Sequence, residues 1–498
     1  MTSNAYAQLE KRFHRMGALG EAAGMLHWDM AAVMPEGGHE SRAEQLATLN
    51  VISHELLTAA ETTDLLALAQ ESGLDDWQRA NLKEMRRVHG HATALTPDFV
   101  EASTKARAAC EKTWREARPK GDFKLVLPQL QKVLDLTREA AAAKSAKLGL
   151  TPYDALMDEF EPGARAADIT PIFDDYAAFL PDFLGRVLEH QKRQPAIVEP
   201  RGPFSIETQK KLGEKLMGVI GFDFNHGRLD TSLHPFCGGT PDDVRITTRY
   251  NEKQFADAMM GVVHETGHAM YERGLPASWR RQPVGQARGM ALHESQSLII
   301  EMQAARSPAF CRFLSPLLNA TYAGNEAAFT PENLARFYTR VEPGFIRVSA
   351  DEVTYPAHVI LRYRLEQALI GGDLKLVDLP GAWNEGMKQL LGLTVTNDRE
   401  GCLQDIHWFD GAFGYFPCYS LGAMTAAQFF AAATAAQPGI PEAIEQGDFR
   451  PLIGWLRTHV HARASSLSSP DIIKAATGRP LDAGIFRRHL ERRYLGTA

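Results

Sequence analysis

Residues 251–276, NEKQFADAMMGVVHETGHAMYERGLP, contain His264-Glu265-Thr266-Gly267-His268, a spacing with a mechanical meaning on a helix. Residues four apart lie one above the other on the same face, so imidazoles at 264 and 268 can reach one ion while Glu265 turns towards the open side. This H-E-x-x-H pattern is that of zinc-dependent hydrolases. The flanks predict a helix. Asn251 with Gln254 three residues on has the form of a capping box, Phe255, Met259 and Val262 repeat at helical intervals, and Gly274 followed by Pro276 supplies a stop. Gly267 lowers helix propensity by about 1 kcal/mol relative to Ala, and a residue that small admits close approach of another segment.

Zinc in a hydrolytic site takes three protein ligands and keeps a fourth position for water. Glu272 lies four residues past His268, but in line on the same straight helix it would sit about 6 Å further along the axis, too far to close a tetrahedron; it is assigned to the surface. The metzincin pattern requires Gly and His at the places that here hold Tyr271 and Gly274, so that subclass is excluded. Residues 290–301, MALHESQSLIIE, read as a second helix with Leu298, Ile299 and Ile300 buried and Glu294 and Ser297 on a common polar face. Glu294 is therefore the expected third ligand, a gluzincin-type arrangement, and the adjacent His293 is expected behind the ligands or in the core.

The 498 residues carry 44% hydrophobic and 23% charged side chains, the composition of an ordinary globular protein with ample core. A net charge of −7 and a pI near 6.2 offer no basic footprint for nucleic acid or an anionic membrane. No apolar run approaches a membrane span and the first residues lack a signal-peptide core, which predicts a cytoplasmic protein. The five cysteines (110, 237, 311, 402 and 418) form no C-x-x-C pair, as expected of reduced thiols.

Most of the chain has helical periodicity. From Tyr6 to about Ala69 the pattern breaks only at Met34–Gly38, with Trp28 and Asp29 read as packing and capping residues; Pro128 and Pro181 punctuate the stretches on either side of Gly149; residues 190–203 cross the surface; and Phe486–Tyr494 is a basic amphipathic run. The exception is Asp243–Tyr250, where Val244, Ile246, Thr248 and Tyr250 alternate with Arg245, Thr247 and Arg249 as in a strand. At a sheet edge such a strand could pair with an extended peptide. Ser349 with Glu352 suggests a capping box that places Arg347 at a helix entrance, and residues 401–419 read as a Gly- and aromatic-rich loop. Helical periodicity with one strand-like segment predicts a mainly α chain.

Five motifs in order, Asp243-x-Arg245-x-Thr247, His264-Glu265-x-x-His268, His293-Glu294-Ser295-Gln296, Ile346-Arg347-x-x-Ala350-Asp351 and Gly401-x-x-Gln404-Asp405-x-His407-Trp408, make the chain resemble the carboxypeptidase Taq family. The likeness extends to Leu26–Asp29 with Met34-Pro35 and to Ala476–Pro480, hence over essentially the whole chain; Pro356 and Ala357 depart from the family's usual residues, which bears on the local helix start. The resemblance implies a single, mainly α-helical domain over residues 1–498 with a small sheet (an N-terminal helical region to about residue 200, a catalytic region over about 201–425 and C-terminal helices over about 426–498), a deep active-site groove, a homodimer, and removal of C-terminal residues from peptides with broad tolerance and poor action on proline. One Zn2+ per chain, replaceable by Co2+, is expected on His264, His268 and Glu294.

In such a mechanism Glu265 acts as general base and then acid. His407, Tyr415 and Tyr419 are the candidate donors to the oxyanion. A planar guanidinium suits the substrate's terminal carboxylate, and Arg347 is the first choice, Arg245 the second. Asp243, Thr247, Gln404 and Asp405 complete the substrate-binding set as residues that orient these groups. A zinc oligopeptidase cutting internally is the alternative; it would share the metal helix and need no clamp.

Overall fold

Long runs of Ala, Leu, Glu, Lys and Arg make helix the default over most of the chain. The structure is a computed structural model describing residues 2–496, and among them are twenty α-helices and one sheet of three strands. The expected break near Pro35 separates helices Thr2–Ala32 and His39–Thr58. Trp28 is buried as packing, with the Arg245 guanidinium 4.5 Å from its ring, whereas Asp29 caps nothing and accepts a bond from Arg42. Pro128 and Pro181 do not interrupt their helices; they lie inside Phe123–Leu148 and Ala166–Lys192. Burial of Val126, Leu130 and Val133 around the first, and of Leu180, Phe183 and Leu184 around the second, outweighs the lost backbone bond.

Two large apolar cores hold the helices together. One joins Phe173, Leu180 and Phe183 to Ile360, Trp383 and Phe486; the other joins Leu216, Met259 and Val263 to Ile299, Phe310 and Leu452. Helix Pro417–Ala436 is buried nearly all round and belongs to both, giving Met424 and Ala427 to the first and Ala426 and Phe429 to the second. No helix among the described residues is long and apolar enough to cross a membrane.

The sheet consists of β1 (Gly227–Thr231), β2 (Phe236–Thr240) and β3 (Asp243–Thr248) in the order β1-β3-β2, with β1 parallel and β2 antiparallel to β3. The Asp243–Tyr250 strand is therefore central, and pairing on both sides takes it away from any peptide. Val244 and Ile246 are buried as the alternation requires, against Val262 and Ala269 of the next helix.

That helix runs Ala256–Gly274 and stops, as expected, before Pro276. It starts later than the anticipated capping box: Asn251 serves the Lys253 amide, and Gln254 accepts from Asp257 in the first turn. The second predicted helix is α-helical over Met290–Leu298 and continues as a π-helix over Ile299–Ala305, with Leu298, Ile299 and Ile300 buried. Its N-terminus is capped by the buried Glu161, which accepts from the Ala291 amide at 2.7 Å. Nor does Ser349–Glu352 form a capping box. Asp351 accepts from the Val353 and Thr354 amides, the helix begins at Tyr355 with Pro356 in its first turn, and Glu352 pairs instead with His489 and Arg493.

The Ala256–Gly274 and Met290–Leu298 helices meet backbone to backbone at Gly267. A Cβ there would lie 2.4 Å from the Gln296 carbonyl oxygen and 2.6 Å from Ser297 Cα. On the other side, a Cβ at Gly422 would lie 2.8 Å from Glu294 Cβ and Cγ. Gly267→Ala should consequently lower stability by about 1–3 kcal/mol through overpacking. Gly185→Ala, in an exposed helix interior where a Cβ meets nothing, should be neutral or stabilise by up to about 1 kcal/mol. Denaturant titration of both variants checks the contrast, and equal effects would dismiss the close contact.

Candidate metal centre

His264 and His268 project from one face of the Ala256–Gly274 helix, and Glu294 faces them from the helix packed at Gly267. Glu294 Oε2 is 3.8 Å from His264 Nε2 and 3.5 Å from His268 Nε2. Ligand atoms about 2.0–2.1 Å from a tetrahedral ion are separated by roughly 3.3 Å, so the three converge on one point. They form the one cluster of three His, Cys, Asp or Glu side chains among the described residues able to hold an ion. Two imidazoles and a carboxylate suit a divalent metal of the zinc type.

The far side of each imidazole is also engaged. His264 Nδ1 is 2.9 Å from Glu301, whose other oxygen accepts from Arg306. His268 Nδ1 is 2.6 Å from His293 Nδ1, and His293 Nε2 is 2.9 Å from Glu272. His293 thus lies behind His268, one of the candidate ligands, while Glu272 is half-buried against it rather than a free surface residue. Burial would depress His264, but Glu294, Glu301 and Glu265 outweigh it and raise the imidazole to about 10. Burial dominates at His268, lowering it to about 4. For Glu265, burial with help from Glu294 pushes the carboxyl up to about 7.

Glu265 and His268 open onto a groove of about 1010 Å³. Its walls are the Thr2–Ala32 helix at Phe13 and Met16, β2 at Phe236 and Thr240, and the aromatic pair Tyr415 and Tyr419. Residues 401–416 form turns as anticipated, but Tyr419 stands in the first turn of helix Pro417–Ala436. Burial raises both tyrosines above the usual phenol range, so they keep their protons. His407 lies behind them: its Nε2 is 3.3 Å from the Tyr419 hydroxyl, and burial holds it neutral at about 4.

Neither predicted arginine lines the groove. Arg347 is buried behind Tyr419, 4.8 Å from that ring, with two nitrogens on Asp405 and Nη1 donating to the Tyr355 hydroxyl at 2.8 Å. It belongs to a short 3-10 turn, Arg347–Ser349, some way before the helix it was expected to open. Gln404 accepts from the Arg347 amide and donates to carbonyls of Phe345 and Glu400, and so shapes that turn. Asp405 also accepts from Arg362, a fully buried residue that sequence reasoning missed. Two guanidiniums therefore share one carboxylate, and among the described residues Asp405 is the sole acid bonded to either. On the sheet, Arg245 pairs with Asp243 against Trp28, and Thr247 bonds Ser232 and the Phe236 amide. Thr247 ties the strands together rather than facing the groove. Arg306, Glu301, Tyr355 and Arg362 were not anticipated: each looks in sequence like an ordinary residue of an amphipathic helix, and only its partner marks it.

A family model described as carboxypeptidase Taq (M32) metallopeptidase matches residues 8–494. The chain is 36% identical, over 507 aligned positions and 99% of each sequence, to thermostable carboxypeptidase 1 of Thermus thermophilus. It is 33% identical to the thermostable carboxypeptidase 1 of Pyrococcus furiosus, covering 98% of each. Among solved structures, Trypanosoma cruzi metallocarboxypeptidase 1 superposes with a TM-score of 0.96 at 41% identity, covering 99% of both chains.

His264→Ala, His268→Ala and Glu294→Ala should each purify with little or no metal. Chelation should lower the Tm of the parent, because an ion held only by the folded state stabilises it, and should leave these variants unmoved. Elemental analysis with thermal melts makes the check, and a variant that keeps the full complement of metal removes its residue from the ligand set.

Proposed function

From the premise that this chain belongs to the carboxypeptidase Taq (M32) family and is a metallocarboxypeptidase acting on peptides, we propose how its residues divide the work. The observation that carries the reading is the convergence of His264, His268 and Glu294 at the groove wall that also presents Glu265, Tyr415 and Tyr419. The three ligands hold one Zn2+ per chain, with Co2+ as a substitute. When bound, such an ion supplies Lewis-acid polarisation of a carbonyl and acidifies water from a pKa of about 15.7 towards 7.

Glu265 takes a proton from the attacking water and returns it to the departing amine. Its raised pKa, about 7, suits a group that must accept and release a proton near neutrality. Tyr415 and Tyr419, protonated and open to the groove, donate to the developing oxyanion, and neutral His407 orients Tyr419. Arg347 anchors the terminal carboxylate of the substrate. With Arg362 it leaves one buried positive charge unmatched by Asp405, and a buried unpaired charge favours an incoming anion. Because Arg347 lies behind Tyr419, it reaches the carboxylate when that ring turns aside and Nη1 exchanges its bond to Tyr355 for one to the carboxylate. Arg245, neutralised by Asp243, is the weaker candidate. The peptide backbone runs along β2, the sheet edge that faces the groove, in the manner first assigned to β3.

The reading includes a single working domain, supported by the helices Met290–Leu298 and Pro417–Ala436, each of which packs into both cores. It places the chain in the cytoplasm, supported by five free cysteines, four of them buried. The homodimer, the breadth of specificity and the poor action on proline rest on the family resemblance alone.

Glu265→Gln should keep its metal and lose turnover by about 10²–10⁴, since an amide cannot take the water's proton; near-parental kcat would remove Glu265 as the base. For the clamp, the quantity to compare is the ratio of free-acid to C-terminally amidated peptide cleavage. Arg347→Ala should lower kcat/KM on free-acid peptides by about 10- to 100-fold, as for a hydrogen bond to a charged group, and hardly change that on amides. Arg347→Lys should recover only part of the loss. A ratio that collapses only in Arg245→Ala moves the clamp to the sheet.

A further inference from the structure

We propose that Glu272 and His293 are positioning residues that fix the tautomer and ring orientation of His268, and that this arm is built differently from the one behind His264. The inference rests on reading His264, His268 and Glu294 as the ligands. Glu272 stands one turn below His268 on the same helix, out of reach of an ion held above it. His293, from the helix packed across Gly267, closes the gap, with Nδ1 2.6 Å from His268 Nδ1 and Nε2 2.9 Å from Glu272 Oε1.

The order of protons along this chain follows from its two ends. His268 Nε2 faces Glu294 and must present a lone pair to a metal, so the proton of that ring sits on Nδ1. The partner of Nδ1 is His293 Nδ1, which must then accept. The proton of His293 is accordingly on Nε2, where it is donated to the Glu272 carboxylate. One carboxylate thus sets the tautomers of two rings in series. The rings are also packed: His293 lies 4.6 Å from His268 and 5.3 Å from Tyr271, centroid to centroid. Tyr271 is itself fully buried and accepts the Arg288 amide. The His264 side is direct by contrast, with Nδ1 on Glu301 and Arg306 neutralising that carboxylate. The segment that carries Glu294 therefore also supports both histidines of the facing helix: His293 and Glu301 lie on it and reach back to the imidazoles of the Ala256–Gly274 helix.

The arm acts on the metal through orientation, so metal affinity reads it without reference to turnover. Chelator competition with Zn2+ on the full chain should show Glu272→Ala weakened by about 10- to 100-fold, the range for loss of an outer partner. Glu272→Gln keeps an acceptor oxygen for His293 Nε2 and should recover most of the affinity. In the 15N spectrum of histidine-labelled, Zn2+-loaded parent, His293 should carry its proton on Nε2, and the same should hold in Glu272→Gln, which serves if the alanine variant fails to fold. A Glu272→Ala affinity within threefold of the parent, or a His293 proton on Nδ1 in the parent, overturns the arm while leaving the ligands standing. A parent that binds no Zn2+ overturns the ligand assignment and the arm with it.

Discussion

At Gly267 the backbones of two helices touch with no room for a methyl group, and the chemistry of the site depends on that contact. Metal ligands spaced i and i+4 on one helix define a line of two; a third must come from elsewhere, at the right height and within a few tenths of an ångström. Close packing at Gly267 sets the separation, and the second close approach, of Gly422 to Glu294, presses the proposed third ligand from behind. Since Pro417–Ala436 belongs to both apolar cores, the position of Glu294 is tied to the stability of the whole molecule. This explains why a protein of this size surrounds so small a site: burial of many side chains, each contributing about 1.5–3 kcal/mol, holds the ligand groups in place.

Charge is handled by a related economy. Around the proposed metal ligands, the carboxylates of Glu294, Glu301, Glu265 and Glu272 gather in a largely buried volume, and among the described residues Arg306 is the one guanidinium bonded to any of them. Such an excess is costly unless a cation or protons answer it, and the rise of His264 to about 10 is how the protein alone would answer. Behind Tyr419 the imbalance has the opposite sign, with Arg347 and Arg362 on Asp405. In the proposed reading, a peptide with a carbonyl to be attacked and a free carboxylate at its end answers both imbalances at once.

Much of this was legible in the sequence because it is local. The helix about His264 and His268, its stop before Pro276 and the burial of Leu298 to Ile300 all follow from spacing along one or two helices, whereas the close contact that requires Gly267 does not. Misplaced features had a common origin, in that several partners were available and sequence does not say which one wins. Ser349 and Glu352 had capping spacing, but Glu352 found His489 and Arg493 and left the cap to Asp351. Glu272 read as a surface acid because its partner, His293, is on another helix. The strand at Asp243 had the right alternation, yet alternation is silent about whether a strand is central or at an edge.

By itself, then, the sequence determined the period of each helix, the two-histidine face, the proximity of Glu265 to it, and through five ordered motifs the family. These are properties of neighbours along the chain, where geometry is known in advance. Only the tertiary structure decided that Asp405 serves two arginines, that Tyr415 and Tyr419 and not His407 face the groove, that β2 is its strand, and that His268 is held by a second histidine. Each joins residues far apart in sequence or chooses among equally suitable partners, and the choice is made by the burial of two cores, which no single segment encodes.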